Sequence, residues 1–393
     1  MPSNLSVPGA PRLHRMSQDV DVAAPIPAES RNRPLPGVDA ALSGLSLRPR
    51  TGSGAEATSL APRSSLPKAR ASALDAGLGP AFDRQLASEL HPGLASYLND
   101  LEAAYRENRT PEVKDNEHLK LIIEGLNKAD PGLQLEHDGV MKSEPACWVE
   151  KYKLTQRLQQ GLGRGDAWRM VIDDDDASHR YALSVQCSAS SHDASLILVD
   201  SIDPAKVEDS DRTVSWNDIL GGIGKVLRQR MPADPPVRLH LAVAFTTTLR
   251  ANEGCCIHAL SAARKMAAEP EIAELHGAAL RAMDSESTGQ NIVALPAADL
   301  PPSFFKHSTS RNDLLGNLSQ RKEAGPDGVF NPVVNKDGQT LLDRWESHKT
   351  SRWDPRAGKE QSYSNSYEAK RIELIRTALA ALLPRPTPTA SRP

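Results

Sequence analysis

Residues 250–260 read RANEGCCIHAL and hold two of the four cysteines in the chain. The reactive form of cysteine is the thiolate, which is favoured where a helix begins, because the free N–H groups of a first turn carry partial positive charge. Asn252, Glu253 and Gly254 read as loop and CIHALSAARKMAA as helix, so Cys255 is predicted to stand at such a start. The same N–H groups are suited to hold an oxyanion. His258 lies three residues after Cys255, but groups fixed at helical spacing seldom align for proton transfer. Cys256 is expected to be a small buried thiol, as are Cys147 and Cys187.

A nucleophilic cysteine needs a base and an orienting acid, and a hairpin offers both. SHRYALSVQCSASSHDASLILVDS reads as a strand, a turn around Ala189–Ser190 and a returning strand. Residue numbers of partners in such an antiparallel pair sum to about 379, which sets His179 opposite Asp200 at the open end. A carboxylate there fixes the tautomer of an imidazole base. The plainer reading is a cross-strand ion pair at an exposed strand end, which contributes little. Cys255 shifts the balance, since base, orienter and nucleophile then occur as His179, Asp200 and Cys255.

The elements that must position these groups follow from periodicity. Apolar residues recur at helical spacing through Leu94, Leu98, Leu101 and Tyr105, and again through Leu119, Ile122, Ile123 and Leu126. Thr110 and Pro111 suit the start of that second helix. The middle third changes period: 168–173, 180–185, 195–200 and 238–245 are short β-rich runs, with a helix at 216–231 between the last two. Helices follow from Cys255 to Met266, over 272–283, and near the end with Ile372, Ile375, Leu379 and Leu382 on one face.

Composition bounds the rest. Residues 1–80 hold 11 of the 30 prolines and no Phe, Tyr, Trp or Cys, so they cannot bury enough apolar surface to order themselves. They are expected to be a disordered Ser/Pro-rich leader. A net charge of −3 gives no field for nucleic acid. No apolar run is long enough to span a membrane, and MPSNLSVPGAPRLHR lacks the apolar core of a secretory signal. Consecutive carboxylates in DDDD (173–176) diverge, so no metal site is expected. QGLGRGDA precedes a strand rather than opening a helix and fails the dinucleotide fingerprint.

SHRYALSVQ, LILVDSIDP, EGCCIHALSAARKM, PPSFFKHSTS and NPVVNKDGQTLLDRW resemble, in order and spacing, the YopJ family of bacterial type III effectors. The similarity spans roughly residues 106–382. It implies an α+β fold with a ubiquitin-like-protease-like (papain-like) catalytic core at 151–300. Helical regulatory segments at 81–150 and 301–383 would flank it, after a secretion leader at 1–80 and before a disordered tail at 384–393. It further implies transfer of acetyl from acetyl-CoA to Ser, Thr or Lys of host proteins, with inositol hexakisphosphate as activator. His179, Asp200 and Cys255 fall on the family's catalytic positions, and Lys306 on a lysine acetylated in cis or used to hold the activator. Arg250 stands where several members have a Gln that helps the oxyanion hole.

A polyphosphate needs Arg and Lys from several segments. Arg106, Arg109, Lys306, Arg311, Lys336, Arg344, Lys349, Arg352, Lys370 and Arg371 are the candidates, with solvated surface charge as the plain alternative for each. A peptidase of ubiquitin-like conjugates using the same three residues, and a non-enzymatic decoy or adaptor, stay open beside the acetyltransferase.

Overall fold

The β-rich runs of the middle third pair into one six-stranded mixed sheet, in the order β1 to β6. The strands are β1 (Leu135–Gly139), β2 (Ala167–Asp173), β3 (Arg180–Cys187), β4 (Asp193–Asp200), β5 (Arg238–Phe245) and β6 (Gln290–Ala294). β2, β3 and β4 are antiparallel neighbours, while β1 lies parallel to β2, and β4, β5 and β6 run parallel. This is a computed structural model; it describes residues 82–139, 151–173, 179–202, 216–231, 236–249, 254–283, 290–321, 330–354 and 358–384. All of them belong to one unit, 53–393. The 1–80 leader, Cys147, Arg250, Asn252, Glu253, the acidic run beyond Asp173, the tail beyond Pro384 and the side chain of Arg352 lie outside that description.

Each face of the sheet is covered. On one, α4 (Lys153–Gly161) and α5 (Trp216–Arg230) bury Leu154, Leu158, Ile223 and Leu227 against Trp168, Leu183, Leu196 and Leu241. The other face receives α6 (Cys255–Ala268) and α7 (Pro270–Met283), backed by both flanks of the chain. From the N-terminal side come α1 (Arg84–Leu90), α2 (Pro92–Glu107) and α3 (Asp115–Ala129). From the C-terminal side come α8 (Arg311–Ser319), α9 (Leu341–Ser347) and α10 (Ser366–Leu382), with a separate hairpin of β7 (Lys349–Asp354) and β8 (Lys359–Ser364).

The flanks join through α3 and α10, which approach so closely that a Cβ on Gly125 would land on the backbone of Ala378. Beside that crossing Arg371 Nε donates to Asp115 Oδ2 at 3.1 Å, and Tyr97 Oη donates to Asp115 Oδ1 at 2.8 Å. The second helix differs from its expected start: α3 begins at Asp115 with Lys114 at the cap, and neither Thr110 nor Pro111 enters it. Asp115 and Glu117 instead supply the negative charge that a first turn favours.

The hairpin register also differs. Ala182 pairs with Val199 and Cys187 with Ala194, so partners sum to 381. The shift of two residues preserves side-chain parity, because strand faces alternate with period two. His179 therefore stays on the face of Asp200, but as a diagonal neighbour beyond the end of the ladder.

Candidate active site

The start of β3, the ends of β4 and β5 and the start of α6 meet at one rim of the sheet. His179 Nε2 lies 2.7 Å from Asp200 Oδ1. Asp200 is buried and firmly held: Oδ1 also accepts from the Ile202 N–H at 2.8 Å, and its carbonyl accepts from the Thr246 N–H at 2.8 Å. The ring of His179 sits edge-on to Tyr181, which in turn meets Trp216 edge-on, so aromatic packing sets the plane of the imidazole.

Cys255 is the first residue of α6 and hydrogen-bonds the His179 side chain. Among the described residues no side chain caps that helix start and no acid lies in its first turn, so its N–H groups and dipole bear on the thiol. Space at Gly254 is tight: a Cβ would stand 2.9 Å from Leu249 Cδ1, which would have to shift. Burial pulls the His179 pKa down, but hydrogen bonds to Asp200 and Cys255 and their charges outweigh it, raising the pKa to about 10.

His258, one turn further along α6, behaves in the opposite way. Burial and the charges of Lys265 and Arg371 lower its pKa to about 3. Its Nδ1 lies 3.3 Å from Thr248 Oγ1, and Tyr367 stacks on its ring. It is a neutral core histidine. Burial likewise raises the Cys256 thiol well above its ordinary value, and that of Cys187 to about 12.

A second cluster lies further along α6. Lys265, Lys306, Arg344 and Lys370 converge from α6, the turn after Phe305, α9 and α10, and Arg264 adjoins them. Burial lowers the pKa of each of the four, and for the three lysines their mutual repulsion adds to it. Glu373 faces the set, with Oε1 2.6 Å from Lys370 Nζ and 3.5 Å from an Arg264 Nη. Lys370 and Lys265 also line, with His258, His307 and Tyr367, a small cavity that reaches Arg180 and Thr246. These cations, with Glu373, Asp337 and Glu269 as the nearby carboxylates, form a donor set suited to a polyphosphate.

Of the ten cations expected to hold an anion, Lys306, Arg344 and Lys370 come together. Arg371 does not join them: it is buried at 0 % exposure and its guanidinium is spent on Asp115. Neighbours on a helix point about 100° apart, so Lys370 and Arg371 serve different sides of α10. Arg106 pairs with the buried Glu102, and at the surface Arg109 pairs with Glu107 and both Arg311 and Lys349 with Glu346. Lys336 lies in the turn before α9, with no ion pair among the described residues. Arg106 and Arg109 do approach the C-terminal flank, since Tyr105 Oη meets His348 Nδ1 at 3.2 Å and Thr350 Oγ1 donates to Asn108 at 3.0 Å. Sequence reasoning missed Lys265 and Arg264; their only signal was a basic pair within the alanine-rich end of the Cys255 helix.

The two clusters are physically stitched. Thr309, three residues after Lys306, donates its N–H to the Thr248 carbonyl at 2.8 Å. Its own carbonyl accepts from Trp345 Nε1 at 3.2 Å and from the Ser364 N–H at 3.0 Å. The loop after β5 is thereby tied to the C-terminal flank, while Leu249 N–H binds the Ser201 carbonyl beside Asp200 at 3.1 Å.

Fold and rim together define a papain-like α+β protein with a cysteine at a helix start against a His–Asp pair. A profile of the YopJ Serine/Threonine acetyltransferase family matches residues 94–377, and the chain belongs to that family. Among solved structures it is similar to HopZ1a in complex with IP6 and CoA, at 19 % identity and a TM-score of 0.52, covering 76 % of this chain and 97 % of that one. It is also similar to a deletion variant of AvrA with IP6 and CoA, at 18 % identity and a TM-score of 0.50, covering 76 % and 99 %. No curated protein sequence matches the chain.

Proposed function

We propose that the protein transfers acetyl from acetyl-CoA to Ser, Thr or Lys of host proteins by a two-step mechanism through Cys255. With its proton already resting on His179, Cys255 Sγ attacks the thioester carbonyl, and the first-turn N–H groups of α6 hold the oxyanion. The coenzyme leaves as its thiol, taking the proton from His179. In the second step His179 accepts the proton of an incoming hydroxyl or amine, whose oxygen or nitrogen attacks the acetyl-cysteine carbonyl and frees Sγ. Asp200 keeps the imidazole in place and balances its charge.

Inositol hexakisphosphate is proposed as the activator, held by Lys265, Lys306, Arg344 and Lys370 with Arg264. The observation that carries this reading is the gathering of that cluster around Lys265 and Arg264, on the same helix that begins with Cys255. HopZ1a and AvrA, whose fold the chain shares, were solved with IP6 and CoA. Lys306, a member of the cluster on the segment tied to the β5 loop, is the proposed site of autoacetylation. Delivery by a type III system, led by residues 1–80, completes the reading.

Intact mass after incubation with acetyl-CoA tests it. Wild type with inositol hexakisphosphate is expected to gain acetyl groups, which disappear in Cys255→Ala or without the activator and persist in Cys256→Ala. Absence of acetylation in every sample sinks the reading and turns attention to ubiquitin-like conjugates.

A further inference from the structure

Arg180 follows His179 directly, and a strand sends consecutive side chains to opposite faces. Tyr181, Leu183 and Val185 enter the core under α4 and α5, whereas Ala182 enters the core under α6. Arg180 shares the parity of Ala182. It lines the cavity beside the first turns of α6 together with Ile257, His258 and Ala259.

Its guanidinium is 3 % exposed, and its Nε lies 2.6 Å from Asp173 Oδ1. The two residues are directly paired in the β2–β3 ladder, so the register itself sets the tether. Asp173 Oδ2 is held in turn by His137 Nε2 at 2.9 Å, from β1. Burial disfavours the cation, but its surroundings, Cys256 and Cys255 at the start of α6 and the Asp173 carboxylate, favour it.

We propose that Arg180 is a positioning residue for the acyl transfer: a fixed positive charge, anchored by Asp173 and His137, that acts through Cys255 by favouring negative charge on its sulfur. An arginine does not exchange its proton in this range, so the effect is one of field alone. His179 meets the nucleophile from one side of the strand and removes its proton. Arg180 meets the helix start from the other side and stabilises what remains.

The inference rests on Cys255 being the nucleophile, and it can be tested without acetyl-CoA. Alkylation of Cys255 by iodoacetamide is followed by peptide mass from pH 6 to 10 in the full-length protein, after folding is checked by circular dichroism. Arg180→Gln is expected to slow Cys255 at pH 7 about tenfold, the size of one pH unit of lost anion stabilisation. The deficit should close toward pH 10, where any thiol ionises unaided, and Arg180→Lys should keep most of the wild-type rate. Removing one partner of a buried pair endangers the fold, whereas neutralising both is better tolerated. The double variant Asp173→Asn/Arg180→Gln is therefore run alongside, with the same tenfold loss expected. A wild-type pH profile in either folded variant overturns the role of Arg180 and leaves the nucleophile standing. A wild-type Cys255 no faster than Cys187 overturns both.

Discussion

His179 and His258 both lie beside the first turns of α6, and their surroundings drive them apart. At the rim, His179 sits between Asp200 and Cys255 and is held as a cation up to about pH 10. In the interior, His258 meets a threonine, a tyrosine ring and nearby positive charge, and takes a proton only near pH 3. Nearness to the cysteine pair is common to both. A carboxylate partner makes the difference, because in low dielectric an ion is tolerated only where its counter-charge is fixed.

The comparison is broken most severely by Asp200→Asn. Stripped of its counter-charge, His179 should lose its cationic character, and acetylation should fall by on the order of 10³-fold, measured with acetyl-CoA and activator at saturation. The interior counterpart is Arg371→Met, which leaves Asp115 as an uncompensated buried charge. It should cost about 3–5 kcal/mol in urea denaturation, with most of that recovered in Asp115→Asn/Arg371→Met.

pH separates the two regions further. The raised pKa of His179 contributes stability that is fully present below about pH 6.5 and is lost as pH rises through about 10. His258 and His276 have the opposite sign: the unfolded chain binds their protons near pH 6.5, the folded chain only near pH 3. Acidification from 6.5 toward 3 therefore destabilises, by up to roughly 1.4 kcal/mol per histidine at pH 5.5. His276 accounts for its share through a buried bridge between Ser184 and Ser195, with 2.9 Å at each end. His276→Gln should have a lower urea midpoint at pH 7 but lose less of it on moving to pH 5.5. The smallest effect belongs to His258→Gln, which should leave the acetylation rate within about threefold of wild type. A collapse of the rate there would mean that His258, not His179, serves Cys255.

How legible this was depends on how local the cause is. The strands at 167–173, 180–187, 193–200 and 238–245 and the helix from Cys255 stood out because each follows one period over enough residues. β1, β6 and the β7–β8 hairpin did not, being short, polar or completed only by a neighbour from elsewhere in the chain. Parity brought His179 and Asp200 to one face even though the register was off by two, since an even slip leaves faces unchanged. The cations show the other side. Lys370 and Arg371 are adjacent and chemically alike, yet one faces the cluster and the other is locked to Asp115, 256 residues away.

The sequence by itself determined the residue types, the helix start beneath Cys255, the shared face of His179 and Asp200, and the membership of the chain in its family. Those are properties of period, turn chemistry and short motifs. Only the tertiary structure decided which cations gather at the far end of α6, which histidine is charged and which is neutral, and that Arg180 is buried against Asp173 beside the start of α6. Those depend on burial and on partners distant in sequence. An ion's free energy is set by what surrounds it in space.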